Sequence, residues 1–142
     1  MDPLYHKILV PVEGAEGDRV ILSHVAELAR SHGAHVLLFH VADGWAARYY
    51  RNEAASREIE DDRRYLETLA DSLRAQGIPT ETQLAFGSPA AEIIKEVEIA
   101  GCDLIAMATH GHRFFSDLLY GSTADKVRHS VAVPVLLLRV PR

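Results

Sequence analysis

Leu104-Ile105-Ala106-Met107-Ala108-Thr109-His110-Gly111, followed after nine residues by Gly121-Ser122-Thr123, is the stretch whose reading decides the fold. The apolar run Leu104 to Met107 reads as a strand ending near Ala108. The glycine segment behind it reads as a loop entering a helix at about Ser122. In open parallel sheets, ligands bind in the crevice beyond the carboxyl ends of the strands. Glycine there lets backbone approach a phosphate closely, and a helix start adds unpaired N–H groups and the positive end of its dipole. The segment is therefore a candidate phosphate-binding loop. It is not a Walker A loop, since Gly-x4-Gly-Lys-Ser/Thr occurs nowhere in the chain.

Working outward, Lys7-Ile8-Leu9-Val10-Pro11-Val12 is a short apolar run with its proline near the end, where a missing ladder donor is tolerated. Residues 18–32 carry Ile21, Val25, Leu28 and Ala29 at helical spacing, and Gly33 ends that helix. Val36 to Val41 is almost continuously apolar, as a strand buried on both faces should be. After a polar and aromatic connection at 42–51, a long helix with Ile59, Leu66, Leu69 and Leu73 on one stripe runs to about Gln76. Glu81 to Phe86 alternates like a less buried edge strand. Ser88 and Pro89 then mark a helix start, with the serine as cap and the proline at the first helical position. Gly101 closes this helix, the strand at Leu104 follows, and a helix over 122–130 leads to a last strand from Val133 to Val140. The order β-α-β-α-β-α-β-α-β calls for an α/β fold, a parallel sheet with helices on both faces. With no linker, repeat or low-complexity segment, residues 1–142 are expected to form one domain.

The composition is that of an ordinary soluble chain: 48% of its 142 residues are hydrophobic and 25% charged. The formal charge of −5 is spread along the sequence without a basic stripe, which argues against nucleic acid as a partner. A nucleotide needs only one local positive site and is not excluded. The lone Cys102 cannot form an internal disulfide, no signal peptide opens the chain, and no apolar run is long enough to span a bilayer. A cytoplasmic protein that does not engage membranes is expected.

The chemistry-bearing residues have plain readings beside functional ones. Gly111 and Gly121 suit loop positions needing positive φ; together, at a strand end, they suit a phosphate. Ser122-x-x-Asp125 resembles a capping box, so capping and phosphate binding compete for the same hydroxyl. His110-Gly111-His112 invites a metal reading, but two histidines around a glycine without a patterned third ligand argue weakly for one, and no metal site is assigned. His24, His32 and His35 read as solvated, and His40, inside a buried run, as a core histidine with a satisfied ring. Trp45, Tyr49, Tyr50, Phe114 and Phe115 suit packing, a ligand or a partner surface. Nothing marks Cys102 as an activated nucleophile. Val135-Leu136-Leu137-Leu138 is apolar for a sheet edge, and such an edge invites strand pairing with a second copy.

The combination Val10-Pro11-Val12-Glu13-Gly14, Phe39-His40-Val41, Ala108-Thr109-His110-Gly111-x9-Gly121-Ser122-Thr123 and Val133-Pro134-Val135-Leu136-Leu137 resembles the universal stress protein family over essentially the whole chain. The resemblance is most specific in the last third, where nucleotide-binding members carry Gly-x2-Gly-x9-Gly-Ser/Thr. It implies an open five-stranded sheet, Rossmann-like and of the adenine nucleotide alpha hydrolase-like kind, in strand order 3-2-1-4-5. It implies an adenine nucleotide, ATP or else ADP or AMP, with Mg²⁺ carried on the phosphates. It further implies a homodimer through the strand from Val133 to Val140, and a stress-response role exercised by binding.

The residues implied to surround the nucleotide are Pro11, Val12, Glu13, Val41, Met107, Ala108, His110, Gly111, His112, Arg113, Gly121, Ser122 and Thr123. Glu13 would meet the ribose, the Val41 backbone the adenine edge, and Ser122, Thr123 and the loop N–H groups the phosphates. Arg113 would add charge or simply face solvent. Two positions depart from the family pattern: Ala108 stands at its first glycine, adding a methyl, and Glu13 at its usual aspartate, adding a methylene. A nucleotide-free interaction module and a slow ATP hydrolase are the competing readings. No catalytic residue is assigned, because no general base or metal-holding acidic pair is evident near the loop.

Overall fold

The apolar runs around Leu9, Leu37 and Ile105 lie side by side at the centre of a five-stranded sheet, each too apolar to leave a face in water. A computed structural model describes residues 2–42, 53–109 and 115–140 of the protein, and of residues 53–56 and 115–121 the backbone alone. The elements are β1 (Lys7–Pro11), α1 (Glu16–His32), β2 (His35–Ala42), α2 (Glu53–Ala75), β3 (Thr80–Phe86), α3 (Pro89–Ala100), β4 (Leu104–Thr109), α4 (Phe115–Ser130) and β5 (Val135–Arg139). The strands run parallel in the order β3-β2-β1-β4-β5. This is the expected α/β architecture, with the alternating edge strand β3 at one margin and β5 at the other.

Strand alternation sorts the core into two layers. Ile8, Val10, Val12, Val36 and Leu38 face α1 and α2, where they pack with Ile21, Val25, Leu66 and Leu73. Leu9, Leu37, Phe39, Ile105 and Met107 face α3 and α4, where they meet Ile93, Val97, Ala124 and Val127. Two helices end as their sequence predicts. Gly33 (φ 64°) and Gly101 (φ 68°) both take the left-handed conformation that returns the chain to the sheet at little steric cost. Pro89 opens α3 behind Ser88, also as expected, yet the Ser88 hydroxyl makes no capping hydrogen bond.

Several boundaries differ from the sequence reading. β2 is longer by a residue at each end, and β1 and β5 are shorter, although the Val140 N–H still reaches the Thr109 carbonyl at 2.7 Å. α1 begins at Glu16, which places Asp18 inside its first turn. The largest difference is at α4, which begins at Phe115 rather than Ser122. Gly121-Ser122-Thr123 therefore lies within a helix. The good helix formers Leu118 and Leu119 carry the helix across Gly121, whose cost there is only about 1 kcal/mol relative to alanine.

At the amino end of the sheet, Asp103 fastens β4 to β1. Its carboxylate accepts the backbone N–H groups of His6 (2.8 Å) and Lys7 (3.0 Å), and the His6 ring lies 3.3 Å away. Burial alone would raise its pKa. The N–H donors of Lys7 and His6, with the His6 ring, outweigh burial and hold it below the usual carboxylate value. A depressed folded-state pKa contributes stability that is present above the unfolded value of 3.8 and is lost as pH falls through the folded one. Urea midpoints measured from pH 6 to pH 2 should therefore fall more steeply for the wild type than for Asp103→Asn; parallel curves would contradict the latch.

Cys102, next to this latch, is buried, and burial pushes its thiol up to about 11. Iodoacetamide at pH 8 should label the folded protein far more slowly than the urea-unfolded chain; equal rates would show that the thiol is accessible.

Candidate functional site

At the carboxyl end of the sheet, β1 leaves the ladder after Pro11, and the next three residues are held by other means. The Val12 N–H still donates to the Phe39 carbonyl at 2.8 Å. The Val12 carbonyl accepts a hydrogen bond from His40 Nδ1 at 2.7 Å, which fixes that ring proton on Nδ1 because a carbonyl only accepts. His40 Nε2 lies 3.6 Å from the Asp62 carboxylate on α2. His40 is thus the satisfied, partly buried histidine that its sequence setting suggests.

The helix that follows has Ala15 at its cap position, a residue with no side-chain oxygen to cap it. Asp18, three residues on and 2% exposed, reaches back past the cap to the loop before it. Its carboxylate accepts the N–H of Glu13 (3.0 and 3.2 Å to its two oxygens), the N–H of Gly14 (2.7 Å) and the hydroxyl of Tyr65 on α2 (2.6 Å). Burial, reinforced by this bond to a carboxylate, drives the Tyr65 phenol well above its usual pKa, so it stays a donor. The β1–β2 register ends at the pair Pro11 and Phe39, so Glu13 stands just beyond β1 while Val41 continues β2 beside it.

Beside these strand ends opens a cleft of about 360 Å³ between Val41, the Gly87-Ser88-Pro89 entrance of α3, and Ser122, Thr123 and Lys126 on α4. It brings together three residues from distant parts of the sequence that were singled out above: Val41, Ser122 and Thr123. Pro11 and Glu13, both half-buried, stand at the neighbouring end of β1, outside the cleft lining. Val12 and Met107 are core residues on opposite faces of the sheet. Ala108 also lies in the core, on the α1–α2 face, so the methyl that replaces the pattern's first glycine packs away from the cleft.

Gly121 and Ser122 sit in α4 rather than at its start, which overturns the capping reading of Ser122. His110, Gly111, His112, Arg113, Trp45, Tyr49, Tyr50 and Phe114 lie outside the described residues, as does the side chain of Phe115. His24 and His35 are exposed as expected, whereas His32 is half-buried, packing on the Tyr5 ring and receiving the Tyr5 N–H. Among the described residues, no three His, Cys, Asp or Glu side chains cluster as metal ligands, and no helix is long and apolar enough to cross a membrane.

Two site features escaped sequence reasoning. Lys126, the one charged residue among the described cleft lining, stands one turn beyond Ser122. The spacing Ser122-x3-Lys126 along a helix was the available signal. Asp18 gave a weaker one, since its partners at 13, 14 and 65 follow no local motif. A larger groove of about 700 Å³ runs between α1 and α2, from Ala15 and Tyr65 near the loop after β1 to Arg30 and Gln76 at the far end of α1.

Comparison with known proteins places this geometry. The model of the universal stress protein family matches residues 4–139. Universal stress protein MJ0577 of Methanocaldococcus jannaschii is 25% identical, the match covering 98% of each chain. Its solved structure superposes with a TM-score of 0.83 at 27% identity over 98% of this chain and 99% of that one. A universal stress protein of Archaeoglobus fulgidus in complex with dAMP (TM-score 0.71, 21% identity, 94% and 98% covered) shares the fold. So does a universal stress protein in complex with cAMP (TM-score 0.70, 17% identity, 95% and 97% covered). With a family model that matches residues 4–139, nearly the whole chain, this chain belongs to the universal stress protein family.

Proposed function

We propose that this protein binds an adenine nucleotide at the carboxyl end of its sheet and acts in stress response by binding rather than turnover. The observation that carries the reading is the cleft that joins Val41, at the end of β2, to Ser122, Thr123 and Lys126 on α4. It offers backbone for a base edge at one side and hydroxyls with a cation for phosphates at the other. Glu13, two residues past the end of the adjoining strand β1, is the carboxylate suited to a ribose hydroxyl. Adenine nucleotides on two relatives of the same fold support that choice of base. ATP, ADP and AMP share these contacts, and Mg²⁺ would ride on the phosphates, keeping most of its ligands as water. The burial of Ala108 on the opposite face removes the main sequence argument for a nucleotide-free module.

Calorimetric titration of the nucleotide-stripped protein with MgATP, with MgGTP as control, tests this. Micromolar ATP binding is expected, weakened about tenfold by Lys126→Ala through loss of a charge-assisted contact. No heat at millimolar ATP would contradict the reading and return the interaction-module alternative.

The same reading includes a homodimer through β5. This strand pairs only with β4 in the sheet, and Leu137 on it is 41% exposed. An apolar strand edge of this kind is satisfied by pairing with the same edge of a second copy. Light scattering at micromolar concentration should give twice the chain mass of 15.7 kDa, and Leu137→Lys should shift it towards the single-chain value. A wild-type monomer would contradict the pairing.

A further inference from the structure

The three residues that follow β1 are held almost entirely by side chains of one face. From α1, Asp18 takes the N–H groups of Glu13 and Gly14. From β2, His40 takes the carbonyl of Val12. Both holders lead to α2, where Tyr65 donates to Asp18 and Asp62 faces the far nitrogen of His40, three residues apart on one helix face. These side-chain holds reach the loop from the α1–α2 side of the sheet. Leu9 faces the opposite layer, and the cleft opens on that side between α3 and α4.

We propose that Asp18, held by Tyr65, and His40, backed by Asp62, are positioning residues for the nucleoside half of the site: from α2 they set the backbone of residues 12–14 and so the point from which Glu13 meets the sugar. The proposal rests on the nucleotide reading above and adds to it a controlling element, α2, whose described residues line no part of the cleft. The physical case is the burial of the Asp18 carboxylate. A carboxylate at 2% exposure is tolerated only when its oxygens are filled, and here the Glu13 and Gly14 N–H groups of the loop and the Tyr65 hydroxyl fill them. Removing the Tyr65 hydroxyl leaves that carboxylate short of one donor and free to shift, and the loop amides move with it. The Val12 carbonyl is held in the same way by a ring whose proton has one acceptor.

The test is a thermodynamic cycle. Calorimetric constants for MgATP are measured on the wild type, Tyr65→Phe, Glu13→Gln and the double variant, each with a urea midpoint. Tyr65→Phe is expected to weaken ATP about three- to tenfold in the wild type but less than about twofold once Glu13 is glutamine, because its effect runs through that side chain. A second pair keeps the reading independent of Tyr65. His40→Ala should weaken ATP in the same coupled way, and His40→Asn, whose amide nitrogen can replace Nδ1 as donor to Val12, should restore it. A brace that serves stability alone would lower the urea midpoints while leaving ATP unchanged, or would weaken ATP equally in both Glu13 backgrounds; either result overturns the proposal. Failure of the wild type to bind ATP overturns the nucleotide reading and this inference together, whereas wild-type binding without coupling overturns the brace alone.

Discussion

Everything in this molecule follows from strands too apolar to show either face to water. Ile8, Leu9 and Val10 are fully buried in succession, as are Val36 and Leu38 in the next strand, so both sides of the sheet must be roofed. Roofing both sides of a parallel sheet requires helical crossovers, and crossovers place every loop that follows a strand at the same edge. Between β1 and β4 the winding reverses, and the loops part there instead of crossing. The cleft near Val41 and Ser122 is a consequence of that geometry before it is a consequence of any particular residue. What the residues add is the chemistry offered to a ligand.

The two layers divide the work. Burial against α1 and α2 is continuous from Val12 through Ala108, and the same layer supplies Asp18, Tyr65, His40 and Asp62 to hold the loop after β1. The layer of α3 and α4 presents the cleft, with Ser88, Ser122 and Lys126 exposed at its rim. One face gives the site rigidity and the other gives it access. A buried carboxylate is a costly way to hold a loop unless its acceptors are filled, and here they are filled by the amides it holds.

Much of this was legible in the amino-acid order. The nine elements of the described residues, their order, the two helix-ending glycines and the edge character of β3 follow from periodicity and turn chemistry, which are local properties. The satisfied state of His40 was legible too, because a histidine in an otherwise apolar strand must find a partner. The start of α4 was not. Gly121 and Ser122 with Asp125 mimic an N-terminal signature, but the helix formers Leu118 and Leu119 ahead of them carry the helix across it. Asp18 was hidden for a different reason: its carboxylate holds the amides of Glu13 and Gly14 ahead of the helix and is tied to Tyr65, 47 positions away in sequence, so no local motif announces it. Lys126 belongs to the cleft only because α3 and α4 meet beside it.

The account stands or falls on where a nucleotide sits. Amide chemical shifts of the ¹⁵N-labelled protein, followed through a titration with MgATP, would locate it directly. The account predicts saturable shifts at Glu13, Gly14, Val41, Ser122 and Thr123, with the α1–α2 groove around Ala26 and Leu69 unmoved. Shifts confined to that groove, or none at saturating ATP, would contradict it.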